Sequence, residues 1–315
     1  MDMNNPEHPQ NGASSTVILE ANKPTGEQPM ELFITDEHTE HYLALQSGGD
    51  SYRGLWTGIL GGMGGVAGIG LAVLLMLNGK WDGVPTGLIM SAAFFLVPFL
   101  WETLRPLPLP ILFNRRTREV YFDHDGELFH APWDGMSAVA NEFQVVGTHI
   151  GGMRSASLEI RVWKIEEPET ALMVSLGAPF GKSLEMQKSF WEYIRSYMNN
   201  GPYFDEYGNH SESDAFVQSQ LAVKPNMSGW FKDTLAGIKK TRAENGGRNY
   251  LGGTDVVMVI CTFLLYPCFR IQELTYSVAK RRSRNLWPKV VTERLKANGP
   301  VSRLVDLESH QKLAE

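Results

Sequence analysis

"GILGGMGGVAGIGLAV", running from Gly58 to Val73, places seven glycines in sixteen residues, and its reading decides the fold. The run Gly62 to Ala67 matches the permissive GxGxxA form of the dinucleotide fingerprint. That fingerprint needs a buried strand ahead of it and a helix after it, inside a βαβ unit. The residues ahead, "LQSGGDSYRG", are instead polar and turn-like, and Leu55 to Leu77 carries no charge at all. As a helix this stretch measures roughly 34 Å at about 1.5 Å per residue, enough for a hydrocarbon core of about 30 Å. Gly58/Gly62, Gly61/Gly65 and Gly64/Gly68 are each four apart. They form a small-residue face that another helix can approach closely, within the chain or in a homo-oligomer. A membrane helix is expected, not a nucleotide loop.

A second apolar run, Val84 to Trp101, follows the turn "NGKWDGVPTG" and makes the pair a transmembrane hairpin. Pro98 is expected to kink its end. The connecting turn holds only Lys80, whereas Arg53, Arg105, Arg115, Arg116 and Arg118 flank the open ends. The positive-inside rule then puts both open ends of the hairpin, and with them the main domain, in the cytoplasm.

Beyond the hairpin the period changes. Short β-like runs cover 111–113, 119–123, 127–133, 136–142, 155–165 and 171–176, with "DHDG" as a hairpin turn and "THIGGMRS" as a glycine-rich loop. "KSLEMQKSFWEYIRSYMNN" reads as an amphipathic closing helix. The expected fold class is α+β and membrane-anchored, with a small antiparallel sheet domain closed by a helix. A pleckstrin-homology-like barrel fits this order, as do other β+α folds. The expected organisation is an acidic, largely disordered tail (1–50), the hairpin (51–104) and a cytoplasmic β-rich domain (105–200). A polar linker with an amphipathic helix (201–250) follows. Residues 251–315 combine an apolar segment, interfacial, re-entrant or a third span, with a basic helical tail.

The mean hydropathy of −0.20 excludes a many-pass transporter. The net charge of −6 argues against direct nucleic-acid binding. Two cysteines, Cys261 and Cys268, rule out a disulfide framework. "SLGAPFGKS" has the order of a phosphate loop, but Gly177 and Gly181 are separated by three residues instead of four, and Pro179 removes an N–H. The histidines are scattered without a zinc spacing. No cofactor, metal or enzymatic activity is expected. Two acidic clusters, Glu166, Glu167 and Glu169 at one turn and Asp205, Glu206, Glu212 and Asp214 in the linker, are candidate docking patches for a basic partner.

The hairpin, "PLPILFNRRTREVYF" and "APWDG" together resemble a family of bacterial membrane-anchored proteins found among type VI secretion genes, beside toxic effectors. The similarity covers about residues 50–290, and Phe113-Asn114-Arg115, Tyr121-Phe122 and Trp133-Asp134 carry its most specific part. Some members resemble immunity proteins of nuclease-type toxins. The resemblance implies a cytoplasm-facing domain that captures a cognate toxin, with the lipid bilayer as its other partner. An effector-loading adaptor and a lipid-binding module marked by Arg115, Arg116 and Arg118 are the alternatives.

Overall fold

The structure is a computed structural model that describes residues 15–47, 53–147, 151–179, 181–222, 227–244, 246, 253–283 and 286–307. The chain divides into two compact units. The first comprises Met1–Gly49, Pro108–Ala222 and Trp287–Glu315; the second comprises Asp50–Leu107 and Val223–Leu286.

In the first unit, nine strands among the described residues form one curled antiparallel sheet. They are β1 (Thr16–Glu20), β2 (Thr35–His38), β3 (Tyr42–Leu45), β4 (Ile111–Asn114), β5 (Glu119–His124), β6 (Glu127–Pro132), β7 (Ser137–Gly147), β8 (Gly151–Lys164) and β9 (Glu167–Ser175). The order is β1-β7-β8-β6-β5-β4-β3-β2, with β9 on the other edge of β8. β5 and β6 join through Asp125 and Gly126, both at positive φ (53° and 87°), which is the chemistry of a tight primed turn. Gly151 to Arg154 of the expected glycine-rich loop belong to β8, and residues 148–150 lie outside the described residues.

The sheet is covered on both sides. One core packs Phe113, Trp133, Leu158 and Ile160 against Phe190, Trp191, Ile194 and Tyr197 of α4 (Leu184–Asn200). The Ser183 hydroxyl caps α4 by accepting from Met186 N–H at 3.2 Å. The other core packs Leu112, Tyr121 and Leu128 against Val291 and Leu304, on and after α8 (Lys289–Leu295). The buried Glu119 carboxylate fastens that C-terminal stretch, accepting from Leu304 N–H (2.7 Å), Val305 N–H (3.2 Å) and the Tyr121 hydroxyl (2.8 Å).

Two expectations are corrected here. The acidic segment before residue 50 is structured from residue 15 to residue 47: β1 pairs with β7, β3 with β4, and Leu19, Ala21, Leu32 and Ile34 are core residues. Residues 1–14 and 48–50 lie outside the described residues. Nor is the stretch after Asn200 a free linker. Phe204 is fully buried, bridges to His210 and packs edge-on against Tyr193 with ring centroids 5.4 Å apart. α5 (Ala215–Ala222) then buries Val217.

The second unit is helical. Its first apolar helix consists of α1 (Leu55–Ile59), a π-helical stretch (Leu60–Gly65) and α2 (Val66–Leu77). A short turn leads to α3 (Val84–Leu104), which runs on through Pro98. α6 (Met227–Glu244) and α7 (Gly253–Arg282) complete the unit. Among the described residues, Leu55–Leu77 and Trp81–Leu104 are long and apolar enough to cross a membrane. Both present apolar side chains that the chain itself leaves uncovered: Leu77, Ile89 and Val97 expose 81%, 67% and 67% of their surface.

His38 ties β2 to α4. The Pro202 carbonyl can only accept, so Nε2–H donates to it (2.6 Å) and Nδ1 accepts from the Tyr193 hydroxyl (2.9 Å). Burial pushes the imidazole below its ordinary 6.5, more than the Pro202 carbonyl raises it. The fold therefore prefers neutral His38, while the unfolded chain takes up a proton near 6.5. This stabilisation is complete above 6.5 and is lost as pH falls below it. Urea midpoints of the full chain in detergent should fall between pH 7 and pH 5, with a shallower slope in His38→Gln; equal slopes would refute the assignment.

Candidate functional site

The two acidic clusters read from the sequence lie apart. Glu166, at φ +66°, forms the β8–β9 turn, and Glu167 and Glu169 begin β9, all three exposed. Asp205, Glu206, Glu212 and Asp214 follow α4 instead. The C-terminal end of α4 lies by Arg118 and Trp133: Met198 O and Asn199 Oδ1 accept from Arg118, and Asn199 Oδ1 also accepts from Trp133. Because β6 pairs Phe129 with Lys164, the β8–β9 turn sits at the opposite end of β5 and β6. One shared docking patch built from both clusters is therefore excluded.

The linker cluster is partly structural. Asp205 Oδ1 accepts from Tyr207 N–H (3.0 Å) and Asn209 N–H (2.8 Å), building the tight turn that returns the chain to His210. The turn leaves Tyr207 66% exposed beside Glu206.

The β8–β9 cluster gains members that the sequence reading did not join to it. Since β6 skips β7 and pairs with β8, the β5–β6 turn stands beside the β8–β9 turn. Asp123, Asp125 and Glu127 thereby join Glu166, Glu167 and Glu169. Lys164 stands between the turns, its ammonium 3.0 Å from Glu127 and 3.1 Å from Glu167. Its hydrogen bonds to Glu127 and then Glu167 hold its pKa above the usual lysine value. One ammonium among six carboxylates leaves this end of the sheet strongly negative. A signal existed in the sequence, the acidic turns "DHDGE" and "EEPE", but their adjacency depends on strand order.

The three arginines expected to mark a lipid-binding patch are engaged within the chain. Arg115 donates to Glu40 O (3.1 Å), and Arg116 donates to Lys296 O and Gly299 O (2.8 Å to the latter). Arg118 pairs with Asp134 (2.7 Å). In the phosphate-loop-like segment, the Ser183 hydroxyl is spent as a helix cap, and the Lys182 amine is buried beside Gly177 and near Glu31. Desolvation outweighs the nearby Glu31 carboxylate and lowers the pKa of Lys182. Among the described residues, no group of three His, Cys, Asp or Glu side chains is placed to hold a metal ion.

The six packing glycines are all placed, on two faces. Gly61, Gly64, Gly65 and Gly68 face α3: a Cβ would lie 2.9 Å from the Phe95 ring at Gly61 and 3.0 Å from the Phe94 ring at Gly64. At Gly65 it would sit 3.6 Å from Ser91 Oγ, and at Gly68 2.9 Å from Ser91 Cβ. Gly58 and Gly62 face α7 together with Gly54, which the sequence reading missed. A Cβ at Gly58 would lie 2.6 Å from Cys268 O, and at Gly62 2.5 Å from Cys268 Sγ. Of the two uses expected for the stripe, packing within the chain is the one seen: these glycines lie against α3 and α7.

The most specific part of the family resemblance reads as scaffold. Phe113 and Trp133 are fully buried and packed edge to face (6.1 Å), and Trp133 Nε1 donates to Asn199 Oδ1 (2.8 Å). The chain matches no protein-family profile, no curated protein and no solved structure. The resemblance is therefore carried by the quoted residues alone.

The glycine contacts make a sharp prediction. Gly62→Ala should lower the thermal midpoint in mild detergent, because the new methyl meets Cys268 Cα at 2.7 Å. Overpacking of this kind costs about 1–3 kcal/mol. Gly70→Ala, with nothing within 4 Å, should be neutral. Equal effects would contradict the packing.

Proposed function

We propose that this chain is a non-enzymatic, membrane-anchored immunity protein that binds and neutralises a cognate type VI secretion toxin on the cytoplasmic side of the bacterial inner membrane. The observation that carries the reading is the pair of adjacent acidic turns, Asp123–Glu127 and Glu166–Glu169, on a chain with two helices apolar enough to span a bilayer. A nuclease toxin grips phosphates with a basic surface, so a dense carboxylate surface competes for the same residues and speeds encounter. Anchoring holds the binder at the membrane through which the toxin arrives. The basic residues Arg53 and Arg105 at the open end of the hairpin support the cytoplasmic assignment. An effector-loading adaptor would use the same surface without abolishing toxicity. The lipid-binding alternative loses support because Arg118 is ion-paired with Asp134 and the Arg115 and Arg116 side chains are tied to backbone carbonyls.

Affinity purification from the native host in mild detergent should recover a basic toxin domain, and co-expression with the chain should restore growth of cells making that toxin. Lys in place of Glu166, Glu167 and Glu169 should weaken the complex at least tenfold, about 1.4 kcal/mol, without changing membrane fractionation. Binding without growth rescue would overturn neutralisation in favour of delivery. Unchanged affinity in the triple variant would remove the acidic turns from the interface.

A further inference from the structure

α7 packs antiparallel against the glycine face of the first apolar helix. A Cβ at Gly54 would lie 2.5 Å from Gln272 O and at Gly58 2.6 Å from Cys268 O, so residue numbers rise along the first apolar helix as they fall along α7. Gly62, one turn further on, meets Cys268 again, its Cβ position 2.7 Å from Cys268 Cα. Gly54 also defines the open end of the hairpin, because its N–H donates to the buried Glu102 carboxylate at the end of α3 (3.1 Å). Gln272 therefore lies level with the start of the first apolar helix and the end of the second.

From that level α7 runs back through the apolar run Val256–Phe269, which carries no charged residue and meets the first apolar helix at Cys268. Its 15 steps from Gln272 to Val257 cover roughly 22 Å, about three quarters of a hydrocarbon core of about 30 Å. Its outward face is apolar: Val257, Ile260, Phe263 and Leu264 are all exposed, Phe263 by 72%. Arg270 and Glu273, at the open-end level, pair with each other at 2.8 Å. Lys280, Arg281 and Arg282 lie beyond, on the side of Arg53 and Arg105. Close backbone packing over glycine, an outer face of exposed apolar side chains and basic residues past one end are the marks of a helix packed in lipid.

We propose that α7 is a third membrane-embedded helix, with its 257–268 stretch in the hydrocarbon, packed on Gly54, Gly58 and Gly62 and facing lipid through Val257, Ile260, Phe263 and Leu264. The proposal rests on the hairpin being inserted. It accounts for why Cys268 is buried while Cys261 faces outward.

The two native cysteines supply the probe. Full-length chain carrying only Cys261 (C268S) is treated with a membrane-impermeant maleimide in spheroplasts and in inverted vesicles. Two controls in a C261S/C268S background are Asn78→Cys, in the hairpin turn, and Arg281→Cys. Cys261 should stay unlabelled from either side and become labelled at least tenfold faster after detergent and denaturant. Asn78→Cys should label from the outside and Arg281→Cys from the cytoplasmic side. Labelling of Cys261 in sealed membranes, with Asn78→Cys still accessible from outside only, overturns the third helix and leaves the hairpin standing. Labelling of Asn78→Cys from the cytoplasmic side, or release of the chain by carbonate, overturns the membrane reading itself.

Discussion

Among the described residues, four buried carboxylates hold the segments that neither helix nor strand pairing would fix. Glu31 accepts from the N–H groups of Phe33, Ile34 and Thr35. Glu102 accepts from Gly54 and Thr57, and Glu119 from Leu304 and Val305. Glu192 accepts from Thr25 N–H (2.9 Å) and from Arg195. In each case backbone donors that would otherwise be buried without partners are satisfied by a charged acceptor, worth about 1.5–3 kcal/mol per bond. Losing the carboxylate would strand the donors it accepts from, so each site fixes a chain path: the N-terminal crossing, the start of the first apolar helix, the C-terminal clasp and the approach to α4.

These carboxylates also explain how the charge of the chain is divided. Nine acids in the first fifty residues suggest a solvated tail, yet Glu31 is a structural acceptor, and Glu37 accepts from the Tyr42 hydroxyl (2.6 Å). One concentration of exposed negative charge lies at the end of the sheet where two turns meet because β6 pairs with β8, and the exposed Glu206, Glu212 and Asp214 form another after α4. Near the other end Arg118 is ion-paired with Asp134, while Arg115 and Arg116 donate to Glu40 O and Gly299 O. Electrostatic asymmetry in the first unit thus follows from strand order more than from composition.

Much of this was legible in the sequence. The charge-free run Leu55–Leu77 declares an apolar helix, and its four-residue glycine spacing declares close packing. The alternating runs from Ile111 to Leu176 declare strands, because each signal is local and periodic. What stayed hidden depends on pairing across the chain. β1 and β3 are short, and their apolar residues sit among acids whose role appears only once backbone donors point at them. The partner of the glycine stripe, Cys268 and Gln272, lies some two hundred residues away. The adjacency of the "DHDGE" and "EEPE" turns needs a strand to be skipped, which no local pattern encodes.

The central claim is an acidic sheet unit held at the cytoplasmic face by an inserted helical unit. Carbonate-washed inverted membrane vesicles, exposed to protease with and without detergent, test it most directly. The account predicts that the chain stays with the carbonate-washed membranes. Protease added outside the vesicles should remove the sheet unit and leave a protected fragment containing Leu55–Leu104 that is lost only when detergent is added. Release of the intact chain by carbonate, or protection of the sheet unit in sealed inverted vesicles, would contradict it.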